Sequence, residues 1–176
     1  MAARDDGLPI LPHVAAEFYS WLWWRTEKDG GRFDLGDPIG GIEVWVDERL
    51  AFRRPGDGKI SAVLTGDDAG TALESRAALA GGKLVDEIRL RIRRDDHEFA
   101  VTLRGGALGL HRAKLPDVVH ESEDTAVYDR MFLYEELFQI VSALFAAYAK
   151  ARLDPSWDDD VLPAWDAWRR GQVASS

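Results

Sequence analysis

The chain has 176 residues and contains no cysteine. This absence excludes a disulfide framework, thiolate metal ligands and a cysteine nucleophile. It is typical of proteins in a reducing compartment, so we expect a cytoplasmic location. The N-terminus lacks the pattern of a signal peptide, and the longest apolar run, residues 140–148, is far shorter than the ~20 residues of a membrane span. We therefore expect a soluble protein with no membrane partner.

Motifs of common catalytic and metal sites are missing as well. The four histidines show neither HxxxH nor HExxH spacing, no serine lies in GxSxG, and the glycine pairs fit no phosphate-binding loop. A convergence of His111 and His120 with Asp117 or Glu121 stays open, beside the alternative that these histidines are solvated loop residues. We predict a protein without a catalytic centre, a bound metal or a cofactor.

The composition is that of an ordinary globular protein, with 46% hydrophobic and 30% charged residues. We expect a single domain over residues 1–176, with residues 1–8 and 171–176 frayed. The net charge of −9 should repel nucleic acid. The charge is uneven, however, because residues 51–116 carry twelve Lys/Arg against nine Asp/Glu. The middle of the chain is therefore basic and both flanks are acidic.

Hydrophobic periodicity predicts helices near both ends of the chain. The first covers residues 13–28, and a shorter one ends near residue 80, capped by Asp67 or Asp68. The longest begins at residue 124 or 125 and ends at 153, and a final short helix covers 159–170. The longest helix is expected to bury an apolar stripe made of Val127, Met131, Tyr134, Phe138, Val141, Phe145 and Tyr148, with Leu137 and Leu144 alongside.

Alternating patterns predict strands on both sides of the short helix. The first group covers residues 41–46, 49–54 and 59–65, with Asp47 and Glu48 forming a turn. The second group contains a strand with Ile88, Leu90 and Ile92 inward, followed by strands over residues 98–104 and 108–112. The sequence thus predicts an α+β fold with an N-terminal helix, two antiparallel β-blocks separated by a helix, a long C-terminal helix and a short final helix.

Seven tryptophans are many for a chain of this length. Trp21, Trp23 and Trp24 surround one helix, so they cannot all face the same core. An exposed pair, Trp23 and Trp24, would serve as a subunit contact or as a stacking platform for bases. Burial of the helix from two sides is the alternative interpretation.

The second β-block carries a cluster of basic residues. Arginines alternate with apolar residues along one strand, and neighbouring strands add further cations, giving a candidate DNA-binding face of Arg89, Arg91, Arg93, Arg94, Arg104, Arg112 and Lys114. Such a face can follow a phosphate backbone without reading sequence. The alternative is a solvated face balanced by acidic neighbours, namely Asp86, Glu87, Asp95 and Glu98.

Three segments resemble the RdgC family of recombination-associated proteins. Residues 17–25, EFYSWLWWR, are similar to the family's EFLTWLW helix, and residues 78–85, ALAGGKLV, resemble its approach to a strand of the form EIRL, here 87–90. The end of the chain is similar to the family's final helix and its closing R.SP.W…LPA…W pattern, through DRMFLYEEL at 129–137, LF at 144–145, RLDPSW at 152–157 and LPAWDAW at 162–168.

The resemblance covers most of this chain and corresponds to the C-terminal half of an RdgC protein. It implies a non-catalytic protein that binds duplex DNA without sequence preference. RdgC proteins form a ring-shaped homodimer that encircles DNA and limits the activity of RecA-type filaments. Expected partners are therefore double-stranded DNA, a second copy of the chain or another protein, with a nucleoid location if DNA is bound.

Three functions make different structural predictions. A DNA-binding accessory protein that modulates recombination should gather its basic side chains on one concave face, with acidic ones elsewhere. The alternative, a protein-interaction module of the same fold without DNA affinity, should show interspersed charge and an exposed apolar patch around Trp23 or Trp24. An enzyme of unrecognised type should hold a histidine or carboxylate with a shifted pKa in a deep pocket.

Overall fold

The computed structural model describes residues 12–56, 59–66, 73–106, 109–117 and 122–171. Its helices are α1 Pro12–Lys28, α2 Leu73–Ala80, α3 Glu123–Leu153 and α4 Leu162–Arg169, with a π-helical turn at Trp157–Val161 before α4. Its strands are β1 Arg32–Asp34, β2 Gly41–Arg53, β3 Ile60–Thr65, β4 Leu84–Arg94, β5 His97–Arg104 and β6 Leu110–Lys114. The predicted α+β fold, with an N-terminal helix and a long C-terminal helix, is confirmed.

The strands form one antiparallel sheet of order β1-β2-β4-β5-β6, with β3 paired to the second half of β2. The two β-rich stretches of the sequence thus share a sheet, because β2 and β4 pair from Glu43↔Arg93 to Arg53↔Leu84. β1 was not predicted. It is a three-residue strand after Gly31, whose φ of +75° and close approach to the carbonyl oxygen of Val44 leave no room for a Cβ.

The turn predicted at Asp47 and Glu48 is wrong, since β2 continues through it. The pairing of β2 with β4 shifts register between Val46 and Leu50, so the acidic pair lies in a bulge rather than at a chain reversal. Acidic residues are depleted in strands, which is why the pair indicated a turn. Asp47 is tolerated because arginines of β4 hold its carboxylate.

Helix α1 is the centre of the core. It packs on β2 and β4 on one side and on α3 and α4 on others. Its buried apolar side chains are at most 4% exposed, namely Ala15, Ala16, Phe18, Tyr19, Trp21, Leu22, Trp23 and Trp24. Because layers cover several sides of this helix, nearly all of its circumference is apolar.

The buried face of α3 differs from the predicted stripe. Val141 and Tyr148 are buried as expected, together with Leu133, Leu137, Ile140 and Leu144. The first part of the predicted stripe is instead exposed, with Val127, Met131, Tyr134 and Phe138 between 46% and 64% accessible. By length and composition alone, residues Asp124–Leu153 of α3 could cross a bilayer, since they contain an 18-residue stretch with a mean hydropathy of 1.2. In the folded chain 33% of that stretch is buried. In the C-terminal half of α3, Phe145 and Tyr148 pack against Phe18 of α1.

Two buried tyrosines should make the fold sensitive to alkaline pH. The hydroxyl of Tyr19 donates to the carbonyl oxygen of Gly105 at 3.0 Å, and that of Tyr148 donates to the carboxylate of Glu17 at 2.7 Å. Burial, aided by the charge of Asp86, raises the pKa of Tyr19 well above its ordinary 10.0. Burial, followed by the hydrogen bond to Glu17, raises the pKa of Tyr148 in the same direction.

We therefore expect stability to fall as the pH rises beyond about 10. A raised folded-state pKa means that the unfolded chain releases the tyrosine protons first, so high pH favours unfolding. Urea unfolding at about pH 8, 10 and 11 measures the effect. Tyr148→Phe should give a shallower alkaline decline, because phenylalanine cannot ionise. A variant curve parallel to that of the wild type would contradict this assignment.

Candidate functional site on the sheet and on the long helix

The sheet has an apolar face and a charged face, set by the alternation of β4. Ile88, Leu90 and Ile92 are fully buried in the core. Arg89, Arg91 and Arg93 point to the opposite side. Cross-strand pairing places Thr102 beside Arg89 and Glu98 beside Arg93. We call this side the charged sheet face, comprising Glu43, Asp47, Arg49, Glu87, Arg89, Arg91, Arg93, Glu98, Arg104, His111, Arg112 and Lys114.

Asp47 anchors the middle of the charged sheet face. Its carboxylate lies 3.3 Å from Nε of Arg89 and 3.0 Å from a terminal nitrogen of Arg91. Arg89 also donates to the hydroxyl of Thr102 at 3.2 Å, and Arg91 lies 3.7 Å from Glu98. The Asp47 side chain is only 10% exposed. Two of the predicted DNA-binding arginines are thus held by a nearly buried carboxylate.

The remaining arginines of β4 and β5 on this face are paired in the same way. Arg93 binds Glu43 on β2, and Glu87 binds Arg49 and lies 3.7 Å from Nε of Arg104. Carboxylates therefore alternate with guanidiniums across the strands. A phosphate group would compete with these carboxylates for the guanidiniums, which reduces the gain from binding.

Arg94 does not belong to the charged sheet face, so its predicted grouping with Arg89 is wrong. It lies one residue out of phase with Arg93 and points to the helix side. There it contacts Glu136 of α3 at 3.0 Å and donates to the carbonyl oxygen of Pro38 at 2.9 Å. The same carboxylate lies 3.2 Å from Nδ1 of His97. Arg94 therefore fastens the middle of α3 to the β4–β5 hairpin.

The cations at the β6 edge are the most available ones. Arg112 and Lys114 are exposed, and neither forms an ion pair within the part of the chain that the structure describes. Arg112 has a φ of +48° beside the register shift between β5 and β6, a geometry that redirects a side chain. Arg104, 58% exposed, lies near them.

Two clefts on this face differ in charge. One of about 190 Å³ is basic, with Arg49, Arg104 and Arg112 against Glu87. The other, of about 400 Å³, has an excess of acid, since its lining charges are Asp47, Glu48, Asp96, Glu98 and Asp117 against Arg89, Arg91 and Lys114. The charge is interspersed, so the face does not separate basic from acidic side chains as the DNA hypothesis predicted.

The tryptophan pair predicted as an interface is buried inside the chain. Trp23 is 0% exposed and packs against Phe52 and Trp168, and Trp24 is 4% exposed against Trp165. The expectation of an exposed apolar patch at these residues is therefore wrong. Both tryptophans are core residues, because α3, α4 and the sheet enclose α1.

An exposed apolar surface lies instead on the N-terminal half of α3. We call it the open face of α3, made of Val127 (59% exposed), Tyr128 (64%), Met131 (64%), Phe132 (69%), Tyr134 (46%) and Phe138 (56%). Its helix begins with a capping box, in which Ser122 and Thr125 satisfy each other's backbone. Single exposed apolar residues are normal, whereas contiguous groups of this size are typical of surfaces that contact a protein, a membrane or a ligand.

Metal and acid–base chemistry have little geometric support in the described residues. No group of three or more potential metal ligands converges there, and His120 and Glu121 lie outside the described residues. His97 contacts Glu136, and His111 lies on the exposed β6 edge. The pKa values that rise are those of Tyr19 and Tyr148, both with structural hydrogen bonds.

Comparisons of the chain with models of known protein families, with curated proteins and with solved structures found no match. The resemblance to the RdgC family therefore stays a prediction, carried by the motifs in the sequence alone. The function has to be argued from the geometry of the two surfaces.

Proposed function

We propose that this chain is a non-catalytic protein-interaction module, whose docking surface is the open face of α3. The observation that carries this proposal is the exposure of six large apolar side chains along successive turns of one helix. Five of the six are aromatic residues or methionine, the types enriched in protein interfaces. The flexible thioether side chain of methionine adapts well to a protein surface, and aromatic side chains supply large contact areas.

The charged sheet face supports this choice over nucleic acid. Arg89, Arg91 and Arg93 all have carboxylate partners. A net charge of −9 adds long-range repulsion toward phosphate. The cleft of about 400 Å³ has more carboxylates than cations. An apolar docking surface, by contrast, works without any excess of positive charge.

Site-specific photo-crosslinking in the cells that make this protein tests the proposal. A photoreactive phenylalanine derivative at position 132 should form adducts with protein, identified by mass spectrometry. The same photoreactive group at position 112, on the charged sheet face, tests whether nucleic acid binds that face. Adducts at 132 support the proposal only if Val127→Asp abolishes them and Ala146→Asp, elsewhere on the same helix, does not. Absence of protein adducts at 132, or nucleic-acid adducts at 112, would contradict it.

Duplex DNA binding, as in an RdgC-like accessory protein, is the second candidate function. It is favoured by Arg104, Arg112 and Lys114, which are exposed near the β6 edge. Arg104 and Arg112 line the basic cleft described above, and Lys114 lines the acidic one. Fluorescence anisotropy of a labelled duplex at about 50 and 200 mM salt tests it. We expect no saturable binding. Tight binding that falls steeply with salt, and that Arg112→Glu with Lys114→Glu removes, would establish this function instead.

A further inference from the structure

The open face of α3 is large enough to hold a partner helix. Its four aromatic side chains are 46–69% exposed and together present about 450 Å², taking about 200 Å² for each whole side chain. Val127 and Met131 enlarge this area. The largest apolar patch of a typical monomer covers about 300–600 Å² and often has a function. The open face therefore reaches the upper part of that range.

The spacing within the open face fits a helix better than an extended segment. Its apolar residues recur at intervals of three or four and form two neighbouring rows, with Val127, Met131, Tyr134 and Phe138 in one and Tyr128 and Phe132 in the other. Such rows receive an amphipathic helix whose own apolar residues recur at i, i+3, i+4 and i+7. An extended segment would need the open edge of a sheet, which a helix face does not offer.

One border of the open face is acidic. Asp124 and Glu135 are exposed on the same side of α3, three helical turns or about 16 Å apart along its axis. Glu135 accepts a hydrogen bond from Gln139 at 3.3 Å, and neither carboxylate forms an ion pair within the residues that the structure describes. Arg130, on the other border, is the one basic residue among 123–139, which contain five carboxylates. The border with Asp124 and Glu135 therefore attracts cations.

We propose that the open face of α3 binds a basic amphipathic helix of another protein. This inference rests on the proposed function and names the chemistry of the partner. The partner's apolar residues cover the two rows of the open face. At least two of its Lys or Arg residues, about three turns apart, pair with Asp124 and Glu135 along the acidic border.

The charge of this region distinguishes a basic helix from other apolar occupants. A second copy of the chain would bring the same five carboxylates of residues 123–139 against those of the first. An anionic lipid surface would bring phosphates to the same border and would be repelled in the same way. A basic helix meets no such repulsion, and its cations favour encounter with the acidic border and fix the orientation of docking.

A designed peptide tests the charge preference of the open face. The probe is a labelled peptide of about 18 residues, five helical turns, with leucine at positions i, i+3, i+4 and i+7 and lysine elsewhere. Its matched control carries glutamate at every lysine position. Fluorescence anisotropy at about 50 mM salt should show saturable binding of the lysine peptide and at least about 30-fold weaker binding of the glutamate peptide. Equal binding of the two peptides, or no binding of the lysine peptide at about 100 µM, would overturn the proposal.

Charge-neutralising variants show whether the lysine peptide uses the acidic border. Asp124→Asn with Glu135→Gln should weaken its binding about 3–10-fold, because two exposed ion pairs are lost. Asp158→Asn with Asp159→Asn is the matched control, since it removes the same charge from exposed positions in the π-helical turn before α4. Equal losses in the two double variants would mean that binding follows net charge alone, and the assignment to the open face would fail.

A neutral substitution tests the apolar part of the same contact. Met131→Gln should weaken binding of the lysine peptide at least about 10-fold, because it places an amide at the centre of one apolar row. Ala146→Gln, exposed on the same helix beyond the open face, should leave the dissociation constant unchanged. Circular dichroism confirms that both variants are folded. Unchanged binding by Met131→Gln would refute docking on this face.

The crosslinking at position 132 separates this inference from the proposed function. Adducts that map to an amphipathic segment of another protein, with at least about three more Lys/Arg than Asp/Glu, support both. Adducts that map to a neutral or acidic segment, or to a second copy of this chain, refute the basic helix and leave the interaction module standing. Binding to phosphatidylcholine vesicles without any protein adduct would refute both, since the open face would then contact a lipid surface.

Discussion

Replacing Trp23 with alanine is expected to lower the free energy of unfolding by about 3–5 kcal/mol. The indole is 0% exposed, lies 4.9 Å from Trp168 between ring centroids and donates its N–H to Glu27 at 3.0 Å. Truncation removes this packing and leaves a cavity between α1, the sheet and α4. In a chain of this size the melting temperature should fall by about 6–20 °C, measurable by calorimetry.

Trp45→Ala is the matched control, because Trp45 is only half-buried on the charged sheet face. Its ring lies 5.9 Å from the guanidinium carbon of Arg93, and its loss should cost about 1 kcal/mol. The comparison also separates two roles for Trp23. If Trp23→Ala kept its full stability but changed association, the original interface hypothesis would be restored and its assignment to the core would fail.

Alternation along a strand was the strongest signal in the sequence. It assigned the inward residues of β4 and the outward arginines, because a strand buried on one face has a strict period of two. It could not assign the carboxylates that neutralise those arginines. Asp47 lies 44 residues before Arg91, and Glu43 lies 50 residues before Arg93. Only the pairing of β2 with β4 sets Glu43 opposite Arg93 and brings Asp47, in the bulge of β2, into contact with Arg91.

Helix α3 shows why its exposed face could not be chosen from the sequence. Two apolar stripes run along its N-terminal half, one through Val127 and Met131 and the other through Leu133 and Leu137. Periodicity alone gives both the same weight. The second stripe is buried because α1 and the β4–β5 hairpin lie on that side. The open face of α3 was thus visible as an apolar pattern, but its exposure depends on long-range packing.

The tryptophans of α1 posed a similar choice between exposure and two-sided burial. Trp21, Trp23 and Trp24 project in different directions from one helix, so a single packing layer could not cover them. The structure supplies several layers, since β2, β4, α3 and α4 all contact α1. The number of layers over a helix is a property of the tertiary fold, and local sequence does not contain it.

Replacing Asp47 with alanine is expected to destabilise the protein by about 3 kcal/mol, because two guanidiniums at the centre of the charged sheet face would lose their shared carboxylate. Arg89 and Arg91 are 19% and 37% exposed, so water can compensate them only in part. Urea unfolding at neutral pH measures the loss. Asp47→Asn keeps the shape and the acceptor oxygen and should lose about half as much.

Glu48→Ala, next in sequence, provides the control for Asp47. Glu48 is exposed, and its removal should change stability by less than about 0.5 kcal/mol. The bulge of β2 thus places two adjacent carboxylates in opposite roles, one holding the sheet together and one facing solvent. Equal effects of the two alanine variants would mean that Asp47 is no more than a surface charge. Arg89 and Arg91 would then be free to bind phosphate, and the DNA-binding function would regain its physical basis.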